Sequence, residues 1–295
     1  MPDPKEIIIW VIAVPVAISF LAVALAHLPL RRDRATQPWG PALAIAAAFA
    51  AAFAGLRGKI GFPPRDAQTW LNYLGAIAVL IAIAATVAGT KRWRWPMVGA
   101  SVVLIVATVW LLARSQIPIF GWQHFLIRAA GIAAFMIAWW VLIEHLATRM
   151  KGAAATLPLI LTITASIAAL SLVNAHSMFL GQLAGAVAAA LGAIMVSALW
   201  FKKLSIARGG VLTLTVILLG VILAGYLFAD LSQLDLILLP AAPLAAWLGE
   251  LPMKSRRARF AVRIIAVLLV LVIPLVPALK GLRETMKEQT DSYMY

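Results

Sequence analysis

Residues 155–201 read ATLPLILTITASIAALSLVNAHSMFLGQLAGAVAAALGAIMVSALWF, and this stretch decides the fold. It contains two apolar runs of about 20 residues, the length at which an α-helix crosses a bilayer. The joint between them, residues 174–178, holds no Lys, Arg, Asp or Glu. We therefore predict a hairpin of two membrane-spanning helices with a very short connection.

Small residues recur along the second helix of this hairpin, at Gly181, Gly185, Ala188 and Gly192. In a membrane, small residues at such spacing let two helix backbones approach closely. We expect the hairpin to form the tightly packed centre of a helical bundle. Leucine at Gly185 or Gly192 is then expected to disturb folding, because an overpacked contact forces the two backbones apart.

The rest of the chain is as apolar as the hairpin. Of 295 residues, 63% are hydrophobic and 12% are charged, whereas soluble domains carry about 25% charged residues. The mean hydropathy is +0.97. The sequence therefore predicts an all-α, polytopic transmembrane bundle surrounded by lipid, with about ten spans and no soluble domain. The predicted spans are 6–28, 39–56, 70–89, 96–113, 126–147, 155–175, 179–201, 210–228, 234–250 and 260–280.

These spans form one membrane domain covering residues 1–295. A division into halves at 1–150 and 151–295 gives five spans each, but no repeated motif supports it. Span 39–56 is the weakest, because it is short and consists mostly of alanine. The first span resembles a signal peptide only superficially, since its N-terminal flank has no net positive charge and its apolar run is too long. We interpret it as a retained anchor.

The net charge of +14 is concentrated in short clusters between the spans. This arrangement favours a topological role over nucleic-acid binding, because Lys and Arg collect in the cytoplasmic loops of membrane proteins. We predict a multi-pass protein of the cell (inner) membrane with both termini outside the cytoplasm. The predicted cytoplasmic loops hold Arg31, Arg32, Arg34, Lys91, Arg92, Arg94, Arg149, Lys151, Lys202, Lys203, Arg208, Lys254, Arg256, Arg257 and Arg259.

Several polar residues fall on the predicted outer side, where they suggest a solute or ion vestibule. Nitrogen and oxygen atoms of these types bind polar solutes or cations. Alternatively, the same residues are ordinary loop and helix-cap groups, with the aspartates capping spans eight and nine. The sequence lacks cysteine and metal-binding motifs, so we predict neither a metal nor a cofactor. The candidate vestibule residues are Asn174, His176, Gln182, His124, Asp230 and Asp235.

Two prolines interrupt span nine, Pro240 and Pro243. Proline removes hydrogen bonds from a helix, and short Pro-interrupted spans often mark the site of a transporter. A purely structural kink is the alternative. At the cytoplasmic end, Glu144 and His145 are either a proton-carrying pair or a helix end paired with a nearby base. We expect Arg263, about one turn inside span ten, to extend its charge to the interface.

Three functions remain open. The absence of extramembrane domains and the broken span favour a small-solute or ion permease. The scarcity of buried charge and the Gly/Ala-rich faces also suit a non-catalytic scaffold subunit that binds partner subunits or further copies of itself. A membrane-embedded enzyme is the third alternative, although no catalytic motif is present.

Overall fold

The computed structural model describes residues 4–27, 39–58, 62–64, 66–88, 94–150, 154–201, 204–207, 209–252 and 255–292. Helices account for nearly all of these residues, and no strand occurs within these ranges. The prediction of an all-α bundle is confirmed. In chain order the helices are α1 (residues 4–27), α2 (Trp39–Arg57), α3 (Ala67–Ala88), α4 (Arg94–Ala113), α5 (Trp122–Arg149), α6 (Thr156–Asn174), α7 (Met178–Trp200), α8 (Gly210–Phe228), α9 (Gln233–Leu244) and α10 (Arg256–Ser292).

Shorter helical pieces complete these elements. Turns of π-helix interrupt α1 at Ile9–Ala13 and α8 at Thr215–Leu219. A 3-10 turn, Arg114–Gln116, and one α-helical turn, Ile117–Phe120, follow α4. A 3-10 segment, Ala245–Glu250, directly continues α9.

Nine helices in the described part of the chain are long and apolar enough to cross a membrane. They include α2, so the weak span predicted at 39–56 is a continuous helix of 19 residues. The tenth predicted span, 234–250, corresponds to α9 and its 3-10 segment. Helix α10 extends past the predicted end at 280 and continues to Ser292. Hydropathy marks only the apolar part of a helix, and no glycine or proline ends this helix at residue 280.

Helix α8 lies at the centre of the bundle. Every residue from Gly210 to Gly225 is buried, including Thr213 and Thr215. The Thr215 hydroxyl donates to the carbonyl of Val211 at 2.7 Å, so this polar group is satisfied within the helix. The hairpin α6–α7 is therefore part of the centre but not its most enclosed element. The helices in contact with α8 are α2, α3, α4, α5, α6, α7 and α9.

The hairpin contact is closest at Gly181. A Cβ atom placed there would lie 2.4 Å from Cγ2 of Val173 and 2.9 Å from the carbonyl oxygen of Ala169, both on α6. At Gly185 the nearest atom belongs to Val11 of α1, at 3.1 Å, and at Gly192 the nearest atom is 3.9 Å away. The close approach thus lies near the α6–α7 turn and not along the middle of the helix.

The connections alternate between two ends of the bundle. We call the end that carries residues 174–178 the His176 end, and the opposite end, where α10 begins, the Arg263 end. At the His176 end, the Gln116 amide donates to the carbonyl of Leu227 at 3.2 Å, and the Arg57 guanidinium lies 5.2 Å from the ring centre of Phe179. The connections 57–67, 113–122, 174–178 and 228–233 therefore share one end, in the order that the predicted threading requires.

Candidate functional site

The broken segment formed by α9 and its 3-10 continuation runs the length of the bundle. It begins next to Asp230, whose backbone N–H donates to the carbonyl of Ala175 at the His176 end. It ends with Trp247 stacked on His145, near the end of α5. Twelve residues at about 1.5 Å and six at about 2.0 Å per residue give about 30 Å, the thickness of a bilayer core. The segment thus crosses from end to end although neither of its parts is long enough alone.

Pro240 and Pro243 lie inside α9, which continues through both of them to Leu244. Each proline lacks an N–H, and its ring displaces the preceding turn, so the carbonyls four residues earlier lose their helical partners. The chain tightens to 3-10 geometry after Leu244. The indole N–H of Trp139 on α5 donates to the buried carbonyl of Pro240 at 2.6 Å. One polar group of the broken region is therefore satisfied by a neighbouring helix.

At the His176 end, the structure brings His176 and Asp230 together. The Nδ1 atom of His176 lies 3.7 Å from a carboxylate oxygen of Asp230, and the two side chains are 85% and 87% exposed. His176 has a positive φ of 59°, which turns the chain between α6 and α7. These two candidate residues are far apart in sequence, but their exposed side chains lie next to each other at the His176 end of the bundle.

The other candidate residues have different surroundings. Asn174 packs against α10, since its Oδ1 would lie 1.7 Å from a Cβ placed at Gly281. Asp235 is in the first turn of α9, and its backbone N–H donates to the Ser232 hydroxyl at 3.1 Å, so the cap of α9 is the serine. In the described residues, no hydrogen bond or ion pair joins Gln182 or His124 to the His176–Asp230 pair. A vestibule shared by all six residues stays a prediction.

At the Arg263 end, a buried ion pair links the 3-10 segment to α10. Arg263 is only 7% exposed, and its guanidinium donates to the carboxylate of Glu250. The stem of Arg263 lies against Gly249, where a Cβ would be 2.2 Å from its Cγ. The expectation that Arg263 extends to the interface is wrong, because the missing side chain at Gly249 makes room for a buried arginine.

An aromatic and basic group adjoins this ion pair. The rings of His145 and Trp247 are stacked, with centres 5.6 Å apart and planes 14° apart. The Arg149 guanidinium lies 5.3 Å from the centre of Trp247, and its Nε donates to Nε2 of His145 at 3.0 Å. This contact is a hydrogen bond between two basic side chains and not an ion pair, so both interpretations of the Glu144–His145 pair stay predictions.

Sequence reasoning missed the Glu250–Arg263 pair. The available signal was a carboxylate 13 residues before an arginine that lies inside an apolar run, next to a glycine in a Pro-interrupted span. Buried ionisable groups in membrane proteins are costly and are usually functional. Among the residues that the structure describes, no group of three or more His, Asp or Glu side chains is placed to hold a metal ion. The Glu250–Arg263 pair offers charge attraction and hydrogen bonding.

These features define a class, that of polytopic helical membrane proteins, and in the described residues the segment of α9 changes from α-helical to 3-10 geometry. Within that class, the chain matches no protein-family model, no curated protein and no solved structure.

Proposed function

We propose that this protein is a permease for small solutes or ions. The observation that carries the proposal is the broken crossing segment, which has a polar pair at each end. His176 and Asp230 lie at its start, and Glu250 and Arg263 lie at its finish. Interrupted helices supply solute sites in many transporters because their irregular backbone can line a polar path.

In this proposal, the His176–Asp230 pair is the outer mouth of the path. Asn174, Gln182, His124 and Asp235 then surround that mouth as polar vestibule groups. The Arg263 end faces the cytoplasm, both termini lie outside, and the membrane is the cell (inner) membrane. Most of the basic residues on which this orientation depends lie outside the described residues, namely Arg31, Arg32, Arg34, Lys91, Arg92, Lys151, Lys202, Lys203, Arg208 and Lys254.

Reporter fusions test the threading. A reporter fused after Asp66 is expected outside, and one fused after Arg94 is expected in the cytoplasm, because α3 crosses between them. The measurement is the activity of paired reporters that work on opposite sides of a bacterial inner membrane. If both fusions report the same side, the threading is wrong. If the sides are opposite but exchanged, the orientation alone is wrong.

Repair of the broken segment tests transport. Replacing both Pro240 and Pro243 with alanine restores two N–H groups and favours a continuous helix. We expect this double variant to lose solute flux at least tenfold while it still inserts and purifies. The measurement is flux through proteoliposomes, followed as currents or isotope uptake with Na⁺, K⁺, H⁺, chloride, phosphate and amino acids. The matched control is Pro277→Ala, which changes an exposed proline in α10.

Two outcomes of this experiment count against the proposal. If no solute of the panel enters faster than it enters protein-free liposomes, the chain is not a permease for these solutes. If the double variant transports as well as the wild type, the broken segment is not part of the path.

A scaffold subunit is the second candidate, and one observation favours it. Helix α5 has a small-residue face of Ala130, Gly131, Ala134 and Ala138, and all four residues are exposed in this single chain. A Cβ at Gly131 would meet no other atom within 4 Å. Such a face suits close contact with another helix. Failure of the flux assay together with stable association through α5 would select this function over a permease or an enzyme.

A further inference from the structure

Arg259 and Arg263 lie on α10 where this helix packs on the 3-10 segment. Arg259 and Arg263 are four residues apart and so share one face of the helix. Gly249 lies against both, since a Cβ there would be 2.8 Å from Nε of Arg263 and 2.9 Å from the carbonyl oxygen of Arg259. Glu250 pairs with Arg263. Among the described residues, no carboxylate forms an ion pair with Arg259, so one positive charge at this contact is not balanced.

Several N–H groups here also lack acceptors. The Nε atoms of Arg259 and Arg263 are inaccessible to solvent and have no hydrogen-bond partner within the described residues. The indole Nε1 of Trp247, in the same 3-10 segment, is in the same situation. Buried donors in folded proteins are almost always paired, because leaving one unpaired costs more than its hydrogen bond gains. Three buried donors of this corner therefore have no acceptor among the described residues.

The surrounding charge favours an anion at this corner. The arginines on α10 and at the end of α5 around this corner are Arg149, Arg256, Arg257, Arg259 and Arg263, and the carboxylates on α5 and the 3-10 segment are Glu144 and Glu250. Glu250 opposes an incoming anion, but its charge is already matched by Arg263. Arginine side chains bind phosphate oxygens with short, charge-assisted hydrogen bonds.

We propose that the corner between the 3-10 segment and the first turns of α10 binds a phosphate group, with Arg259 as its principal partner. Arg263 and Trp247 supply further donors. Two sources of this chemistry exist. One is the headgroup of an anionic lipid, which basic pockets between helices bind at the cytoplasmic side of a membrane. The other is free phosphate. This site goes beyond the proposed permease function, because a phosphate group can bind and stabilise this corner without crossing the membrane.

Thermal unfolding of the full-length, delipidated protein in neutral detergent tests the site. Inorganic phosphate is titrated at an ionic strength held constant with KCl. Separately, phosphatidylglycerol is titrated in mixed micelles, with phosphatidylcholine as the neutral comparison. A ligand that binds only the folded state raises the unfolding midpoint in a saturable way. We expect this rise in at least one arm, and the arm that shows it identifies the source of the phosphate group.

Variants locate the effect. Arg259→Gln is expected to weaken the apparent affinity about tenfold or more, the loss typical of one charge-assisted hydrogen bond. Arg259→Lys keeps the charge but lacks the planar guanidinium. If the glutamine variant does not fold, the apparent affinity of the lysine variant for the phosphate group is compared with that of the wild type instead. The control is Arg257→Gln, which removes the same charge from an exposed side chain two residues away. No stabilisation in either arm, or equal losses for Arg257→Gln and the Arg259 variants, would overturn the site.

Discussion

Replacing Glu250 with glutamine is expected to lower the free energy of unfolding by about 3–5 kcal/mol. The substitution keeps the shape of the side chain but leaves the Arg263 guanidinium buried without its counter-charge. The two side chains are 20% and 9% exposed, so water does little to replace the lost partner. The measurement is the thermal unfolding midpoint in detergent, compared with that of the wild type.

The double variant Glu250→Gln with Arg263→Met is the control for this prediction. It removes both charges, and replacing a whole buried ion pair with neutral groups of similar volume is often without cost. We expect it to recover most of the stability that the single variant loses. Wild-type stability in the single variant would show that the ion pair is not effectively buried in the membrane protein.

The second large effect is expected at the α6–α7 turn. Gly181→Ala places a methyl group against the backbone of α6, which cannot move without separating the two helices. We expect a loss of about 1–3 kcal/mol, the usual cost of overpacking. The measurement is again the unfolding midpoint in detergent.

Gly192→Ala is the matched control, on the same helix and with the same change. Its new methyl group meets an ordinary contact at 3.9 Å. Alanine is the better helix former by about 0.5–1 kcal/mol, so this variant is expected to be as stable as the wild type or more stable. Equal effects of the two substitutions would remove the argument for a close contact at Gly181.

Hydropathy and length predicted the helices well because the bilayer sets both. A crossing segment must be apolar, and it must be about 20 residues long to span the hydrocarbon core. In the described part of the chain, hydropathy and length placed nine helices long enough to cross a membrane within a few residues, apart from the longer α10. Pro240 and Pro243 indicated a departure from α-helical geometry in span nine, and the chain changes to 3-10 geometry after Leu244, whereas α10 continues through Pro274 and Pro277. These features need no knowledge of which helices are neighbours.

Sequence reasoning missed the features that depend on which helices lie next to each other in the bundle. An arginine one turn inside an apolar helix looks the same in sequence whether it faces lipid or another helix. Arg263 is buried because Gly249, on a different element, leaves space beside it. In the same way, Gly181 and Gly192 are equivalent by spacing, yet only Gly181 lies against the backbone of α6. His176 and Asp230 were predicted on one side, but their contact depends on where α9 begins.

The enclosed position of α8 has a consequence for biogenesis. A ribosome delivers α2 to α7 before α8, and all of these helices touch α8 in the finished protein. Until α8 is inserted, their inner faces enclose a groove that acyl chains of the bilayer must fill. Helix α9, which follows α8 in the chain, also contacts it. The last third of the chain thus closes a structure that the first two thirds leave open.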